Sequence, residues 1–181
     1  MIIGKKIIHL PLVDSTNDEA KRAILSGEGE GVVVIADAQE KGRGKPGQSW
    51  YSPKGNLYLS AVIKPHKNPK DLAPITLLSG IAARSAIIEG AELYPIIKWP
   101  NDILFDGKKI GGILVERVSS GHLILGIGIN INSQKDAFPK ELEGFATSLK
   151  IITGKDFSID AIIKLLIEKL DAAYLAYLNK I

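Results

Sequence analysis

The 181-residue chain has no cysteine, which removes disulfides, thiolate metal sites and a cysteine nucleophile, and is compatible with a reducing compartment. No apolar run is long enough to cross a bilayer, and the N-terminal MIIGKKIIHLPL lacks a long apolar stretch ending in a small-residue cleavage site. A cytoplasmic protein without a membrane partner is expected. No block of like charge occurs either. The net charge of +3 is spread along the sequence, so no nucleic-acid arm is indicated and no DNA partner is expected. His9, His66 and His122 are far apart and lack acidic or cysteine neighbours at ligand spacing, so they read as structural or surface residues, and no metal cluster or Ser-His-Asp set can be assembled. Repeats and low-complexity segments are also missing. What remains is ordinary globular composition, 45% apolar and 24% charged, with nothing to mark a second domain: residues 1–181 read as one domain around a sizeable core.

Ser15 and Thr16, followed by Asp18 and Glu19, form a helix-start pattern that should stop near Gly27. Val32 to Ala36 is a β-branched run that reads as a buried strand, and Asn56 to Lys64 alternates as a second, with Leu57, Leu59, Ala61 and Ile63 on one face. The spacing of Leu72, Ile75, Leu78, Ala82, Ala86 and Ile87 predicts a helix from Pro69 to Glu89. Four strand-like runs follow: Ile96 to Trp99, Ile103 to Phe105, Ile110 to Val118 and His122 to Ile129. Turn signals of only a few residues separate them, too short for parallel crossovers, so antiparallel hairpins are expected. A helix from about Ser158 to Asn179 ends the chain, with Ile162, Leu165, Leu166, Lys169 and Leu170 as a mostly apolar stripe. The fold class is α+β, a mixed, largely antiparallel sheet packed with helices.

Between Gln39 and Ser60 the chain reads QEKGRGKPGQSWYSPKGNLYLS. Gly42, Gly44 and Gly47 satisfy G-x-G-x-x-G literally, but a strand follows where a dinucleotide fold needs a helix, and a Walker lysine is missing after the last glycine. A looser anion-binding loop survives, in which backbone N–H groups approach a ligand beside Arg43 and Lys45. A solvated basic turn is the bland alternative. Trp50 is either a core anchor or a lid over a planar ligand.

Lys98-Trp99-Pro100-Asn101-Asp102 projects two polar residues from a turn, where they could simply cap the backbone. Against that stands Lys109-Ile110-Gly111-Gly112 across the hairpin, because paired glycines inside a strand need a reason such as a bulge or close approach of a ligand. Gly126-Ile127-Gly128-Ile129-Asn130-Ile131-Asn132 again places glycines at period two on one strand face. Together these segments point to binding and activating an anionic small molecule, with positioning and electrostatics carrying the catalysis.

These segments, with Ser15-Thr16-Asn17 and Lys109 to Glu116, occur in the order and spacing of the biotin protein ligases, which the chain resembles from about Val13 to Asn132. The resemblance implies a class II synthetase-like biotin/lipoate ligase catalytic domain. It implies a two-step reaction: biotin and ATP, with Mg²⁺ assisting, give biotinyl-5′-AMP and pyrophosphate, and a lysine of a biotin carboxyl carrier protein domain then takes the biotinyl group. Ser15, Thr16, Asn17 and Gln39 would meet the ureido head of biotin, and Gly42, Gly111, Gly112 and Gly128 would line its pocket. Arg43 would be a ureido or loop contact. Lys109 would hold the biotin carboxylate and the α-phosphate, and Asp102 would help deprotonate the acceptor lysine. Lys45, Trp50, Asn101, Asn130 and Asn132 fall to the nucleotide. No side chain is assigned to a metal. Position 45 carries Lys where many relatives carry Arg, and Pro46 and Gln48 replace residues that are often basic, giving a stiffer, less cationic loop. Neither an N-terminal winged helix nor the small C-terminal SH3-like domain of relatives is expected. Relatives commonly dimerise through the sheet, which makes a homodimer one arrangement; the residues themselves leave the oligomeric state open. The competing readings are a lipoate- or octanoate-type protein ligase and a non-catalytic biotin-binding remnant.

Overall fold

Alternation at period two resolves into one seven-stranded sheet in a computed structural model that describes residues 1–66 and 69–179. The elements in chain order are β1 (Lys6–Leu10), α1 (Thr16–Leu25), β2 (Val32–Ala36), β3 (Leu57–Ile63), α2 (Ala73–Ala91), β4 (Ile96–Lys98), β5 (Asp102–Phe105), β6 (Lys108–Arg117), β7 (Leu123–Ile129), α3 (Leu149–Thr153) and α4 (Ile159–Leu178). The strand order is β1-β2-β3-β7-β6-β5-β4. Among the described strands, β1 and β2 pair in parallel, with α1 as the crossover; the remaining pairs are antiparallel, as the short connections from β4 to β7 require for that part of the sheet.

The two faces of the sheet have different occupants. Val33 and Ile35 of β2, the expected Leu57, Leu59, Ala61 and Ile63 of β3, and Leu123, Leu125, Ile127 and Ile129 of β7 point into the main core with α2 and α4. Val32, Val34, Val62 and Ile124 point the other way and pack under Ala20 of α1 in a small second core. A strand buried on both faces needs no polar alternation, which is why β2 is an unbroken β-branched run. α1 covers only one end of its face. Beyond it lies an open trough, where the side chains shrink to Gly126, Gly128 and Gly112.

Boundaries differ from the sequence expectation where local chemistry intervenes. α2 begins at Ala73 rather than near Pro69, because an earlier start would bury Pro74 in the helix interior, where it lacks an N–H and clashes with the preceding turn. α1 ends as expected, with Gly27 at φ 94° closing it. β1 and α3 carried too little pattern to be read: β1 is a mostly exposed edge strand, and α3 is a five-residue turn capped by Ser148, whose Oγ accepts from the Ile151 N–H at 3.1 Å. Among the described residues, no helix is long and apolar enough to cross a membrane.

Candidate functional site

The trough exists because four positions cannot carry a side chain. A Cβ on Gly128 would lie 2.6 Å from Trp50 Nε1, one on Gly112 3.1 Å from the same indole, and one on Gly126 2.4 Å from Asn17 Oδ1. At Gly42 it would meet Ser52 Oγ and the Trp50 carbonyl, each at 2.4 Å. Gly112 and Gly128 face each other across β6 and β7, and Trp50 lies on them. Gly111, expected in the pocket, points instead to the core, with its missing Cβ 3.3 Å from Ile103 Cδ1: adjacent strand residues alternate faces, so only one glycine of the pair can serve the trough.

A polar wall closes the α1 end. Ser15, Thr16 and Asn17 are all buried, and Ser15 occupies the N-cap position of α1 without a side-chain cap bond. Gln39 Oε1 accepts from the Thr16 N–H (2.8 Å) and the Thr16 hydroxyl (3.1 Å), while Gln39 Nε2 donates to Ser52 Oγ at 2.8 Å. Ser60 Oγ donates to Asn17 Oδ1 at 2.6 Å and lies 2.8 Å from Thr16 Oγ1. The wall is therefore pre-organised, with its donors and acceptors already oriented.

The glycine loop is a tight hairpin. Trp50 N–H donates to the Gly42 carbonyl (2.8 Å), Gly44 N–H to Gln48 (2.9 Å) and Gln48 N–H to Lys45 (2.8 Å). Pro46 at the second position of that last turn and Gly47 at φ 79° in the third match a type II turn. Lys45 lines the recess under the hairpin. Arg43, expected as a ureido or loop contact, lines the same recess, and its guanidinium forms an ion pair with Asp18 and donates from Nη2 to Glu116 Oε2 at 3.1 Å. The Arg43 hydrogen bond holds the Asp18 carboxyl below its ordinary value despite partial burial. Burial pushes Glu116 up, but bonds from Asn17 and Lys21 and the Arg43 charge outweigh it, and the net shift is downward.

At the other end a β-bulge aims the lysine. Between β5 and β6 the register moves from Ile103↔Gly111 to Leu104↔Lys109, leaving Ile110 as the extra residue. Ile110 enters the core, and Lys109 is thereby turned to the open face. Its Nζ lies 2.7 Å from Asp102 Oδ1, a charge contact without hydrogen-bond alignment, and 5.2 Å from the Trp50 ring centroid. Asn101 Nδ2 donates to the Ile113 carbonyl at 3.2 Å, but its Oδ1, like Trp50 Nε1, is buried without a hydrogen-bond partner.

Lys109 also borders a second cavity of about 420 Å³, lined by Trp50, Tyr51, Asn130, Phe138, Leu142, Phe145 and Ala146. Asn130 is buried there and donates to the Thr147 carbonyl at 3.0 Å. Asn132, expected with it, stands apart: its amide exchanges bonds with the Phe157 backbone (2.9 and 3.0 Å) and tethers the start of α4. Sequence reasoning missed Phe138, Leu142 and Phe145; the one signal was two aromatics in a segment without periodicity, and in the structure Phe145 is 74% exposed. It also missed Tyr58, Ser60, Asp18 and Glu116. Among the described residues, no group of three His, Cys, Asp or Glu side chains converges to hold a metal ion.

Residues 10–132 match the model of the biotin/lipoate A/B protein ligase family. The chain is 35% identical to the bifunctional ligase/repressor BirA of Bacillus subtilis over 98% of its own length and 56% of the relative's. It is 34% identical to the biotin–[acetyl-CoA-carboxylase] ligase of Paracoccus denitrificans over 71% of its length and 55% of the relative's. The chain thus spans about half the length of these curated relatives. Among solved structures, the biotin protein ligase of Aquifex aeolicus in complex with biotin and ATP superposes with a TM-score of 0.87 at 35% identity, covering 97% of this chain and 73% of that one. The Leishmania major ligase in complex with biotinyl-5-AMP gives 0.78 at 32% identity, covering 94% and 75%.

Proposed function

Because the chain belongs to the biotin/lipoate A/B protein ligase family, we propose that it activates biotin with ATP and transfers the biotinyl group to a lysine of a carrier domain. One observation carries this reading: Lys109 stands where a polar-walled glycine trough meets a cavity lined by aromatic and apolar side chains. The trough suits a bicyclic head with a polar end against Ser15, Thr16 and Gln39, its rings lying on Gly126, Gly128 and Gly112. The second cavity suits adenine between Trp50, Phe138 and Phe145, beside Asn130. A carboxylate at the end of the trough and the α-phosphate at the mouth of the cavity then share the Lys109 ammonium.

In the first step a biotin carboxylate oxygen attacks the α-phosphorus, and the bond to the bridging oxygen of pyrophosphate breaks. Lys109 offsets negative charge on both reactants and on the transition state, and the two cavities hold them in line. Asp102, the carboxylate beside Lys109, would be the residue to hold a Mg²⁺ ion, which would supply charge neutralisation for the leaving phosphates and keep most of its ligands as water and phosphate oxygens. In the second step the acceptor amine attacks the acyl carbon, AMP leaves, and Asp102 accepts the proton lost from the amine.

The polar wall favours biotin over lipoate or octanoate, because a site built to hydrogen-bond a polar head leaves its buried groups unpaired when that head is missing. The test is incubation with biotin, Mg²⁺-ATP and a biotin carrier domain, read by mass. A carrier heavier by one biotinyl group is expected. An unmodified carrier, with no biotinyl-adenylate formed, would overturn the reading.

A further inference from the structure

Glu116 lies on the trough face of β6, in register with Gly112 and Leu114, yet it lines neither cavity and has no part in the steps above. Its carboxylate is a junction. Oε2 accepts from Asn17 Nδ2 at 2.6 Å and from Arg43 Nη2 at 3.1 Å, and Oε1 accepts from Lys21 Nζ at 3.0 Å. These three donors come from the N-terminal turns of α1 and from the glycine hairpin. Asp18 takes the other side of the Arg43 guanidinium. The remaining capacity of Asn17 is also spent on protein, Nδ2 on the Leu114 carbonyl (3.5 Å, a long contact) and Oδ1 on Ser60 (2.6 Å), while its amide lies flat over Gly126. The Asn17 amide and both Arg43 Nη groups are thus engaged within the protein.

Building on the biotin reading, we propose that Glu116 is a positioning residue whose carboxylate locks the α1 recognition turn and the hairpin to β6 by sharing Asn17 and Arg43, fixing the width of the trough. Arg43 then serves as a strut between the hairpin, α1 and β6. Two elements far apart in sequence close on one small ligand only if something sets their separation; Asp18 joins α1 to the hairpin directly, and Glu116 ties both of them to β6 in the sheet. The consequence is kinetic: loss of the lock lets the trough widen, which weakens capture of biotin and leaves the Lys109 chemistry intact once biotin is bound.

The test uses Glu116→Met, Arg43→Met and the double variant, with thermal midpoints recorded to confirm that each folds. Two readouts are followed: the rate of proteolytic nicking between Arg43 and Trp50 without ligand, and the biotin KM and kcat of adenylate formation. Each single variant should be nicked at least about tenfold faster and show a biotin KM raised about tenfold with kcat within about threefold, and the double should be no worse than the worse single, because one lock is broken either way. Nicking at the native rate, KM effects that multiply in the double variant, or a fall in kcat at unchanged KM would overturn the proposal. Faster nicking in a chain whose native form fails to bind biotin would leave the lock standing and overturn the function it rests on.

Discussion

Lys109→Ala takes the ammonium from the boundary between the two cavities and leaves Asp102 without its counter-charge. Because the lysine is an exposed-side appendage of the bulge, the fold should survive while single-turnover adenylation falls about 10²–10³-fold, the usual cost of deleting one electrostatic stabiliser; a near-native rate would remove Lys109 from the mechanism. Gly128→Ala acts differently, since its new Cβ would sit 2.6 Å from Trp50 Nε1. The indole must move, and biotin affinity measured by calorimetry should drop about tenfold or more. Unchanged affinity would show that the ring gives way freely. Acidity probes the same neighbourhood. Asp18 and Glu116 both sit below their ordinary carboxyl values in the fold, so their contribution to stability is complete above the unfolded values of about 4 and is lost as pH falls through the lower folded ones. The thermal midpoint of Glu116→Gln should therefore fall less steeply than the native one on acidification below about pH 4; parallel curves would contradict the assigned charge network.

At the scale of elements, the hairpin and the bulge decide what the site can do. Gly47 holds φ 79° at the tip of the hairpin, where a β-branched residue costs about 1–2 kcal/mol of backbone strain. Gly47→Val should accelerate nicking within residues 42–50, and biotin with ATP should slow nicking in the native chain; indifference of both to ligand would argue against closure of the hairpin over substrate. These elements were legible to different depths. Glycines at 126 and 128 announced a bare strand face, because nothing in a strand favours glycine except space. The bulge was anticipated as a reason for Gly111 and Gly112 but falls one residue earlier, at Ile110, because the lysine and not the glycine pair is what the shift re-aims. The partners of Arg43 were illegible for a physical reason: a cation among glycines looks free in sequence, and Asp18 and Glu116 lie 25 and 73 residues away.

For the whole molecule, the sheet is the frame that holds both cavities, and its centre is the place where damage should spread. Leu125, fully buried on β7, directly precedes Gly126 of the trough floor; Leu125→Ala should lower unfolding free energy by about 2–5 kcal/mol and weaken biotin binding with it. Denaturant melts read the first and calorimetry the second. The α+β class, the antiparallel meander and the central core were visible because periodicity and short turns are local signals. The cavity-lining residues Phe138, Leu142 and Phe145 were not, since they sit in irregular chain whose meaning comes only from folding back toward Lys109. Biotin-dependent exchange of pyrophosphate into ATP tests the central claim most directly, because it needs both cavities and the lysine between them but no carrier. The native chain should exchange with biotin and fall to background with octanoate or with Lys109→Ala. Exchange that is absent with biotin, or equal with octanoate, would contradict the account.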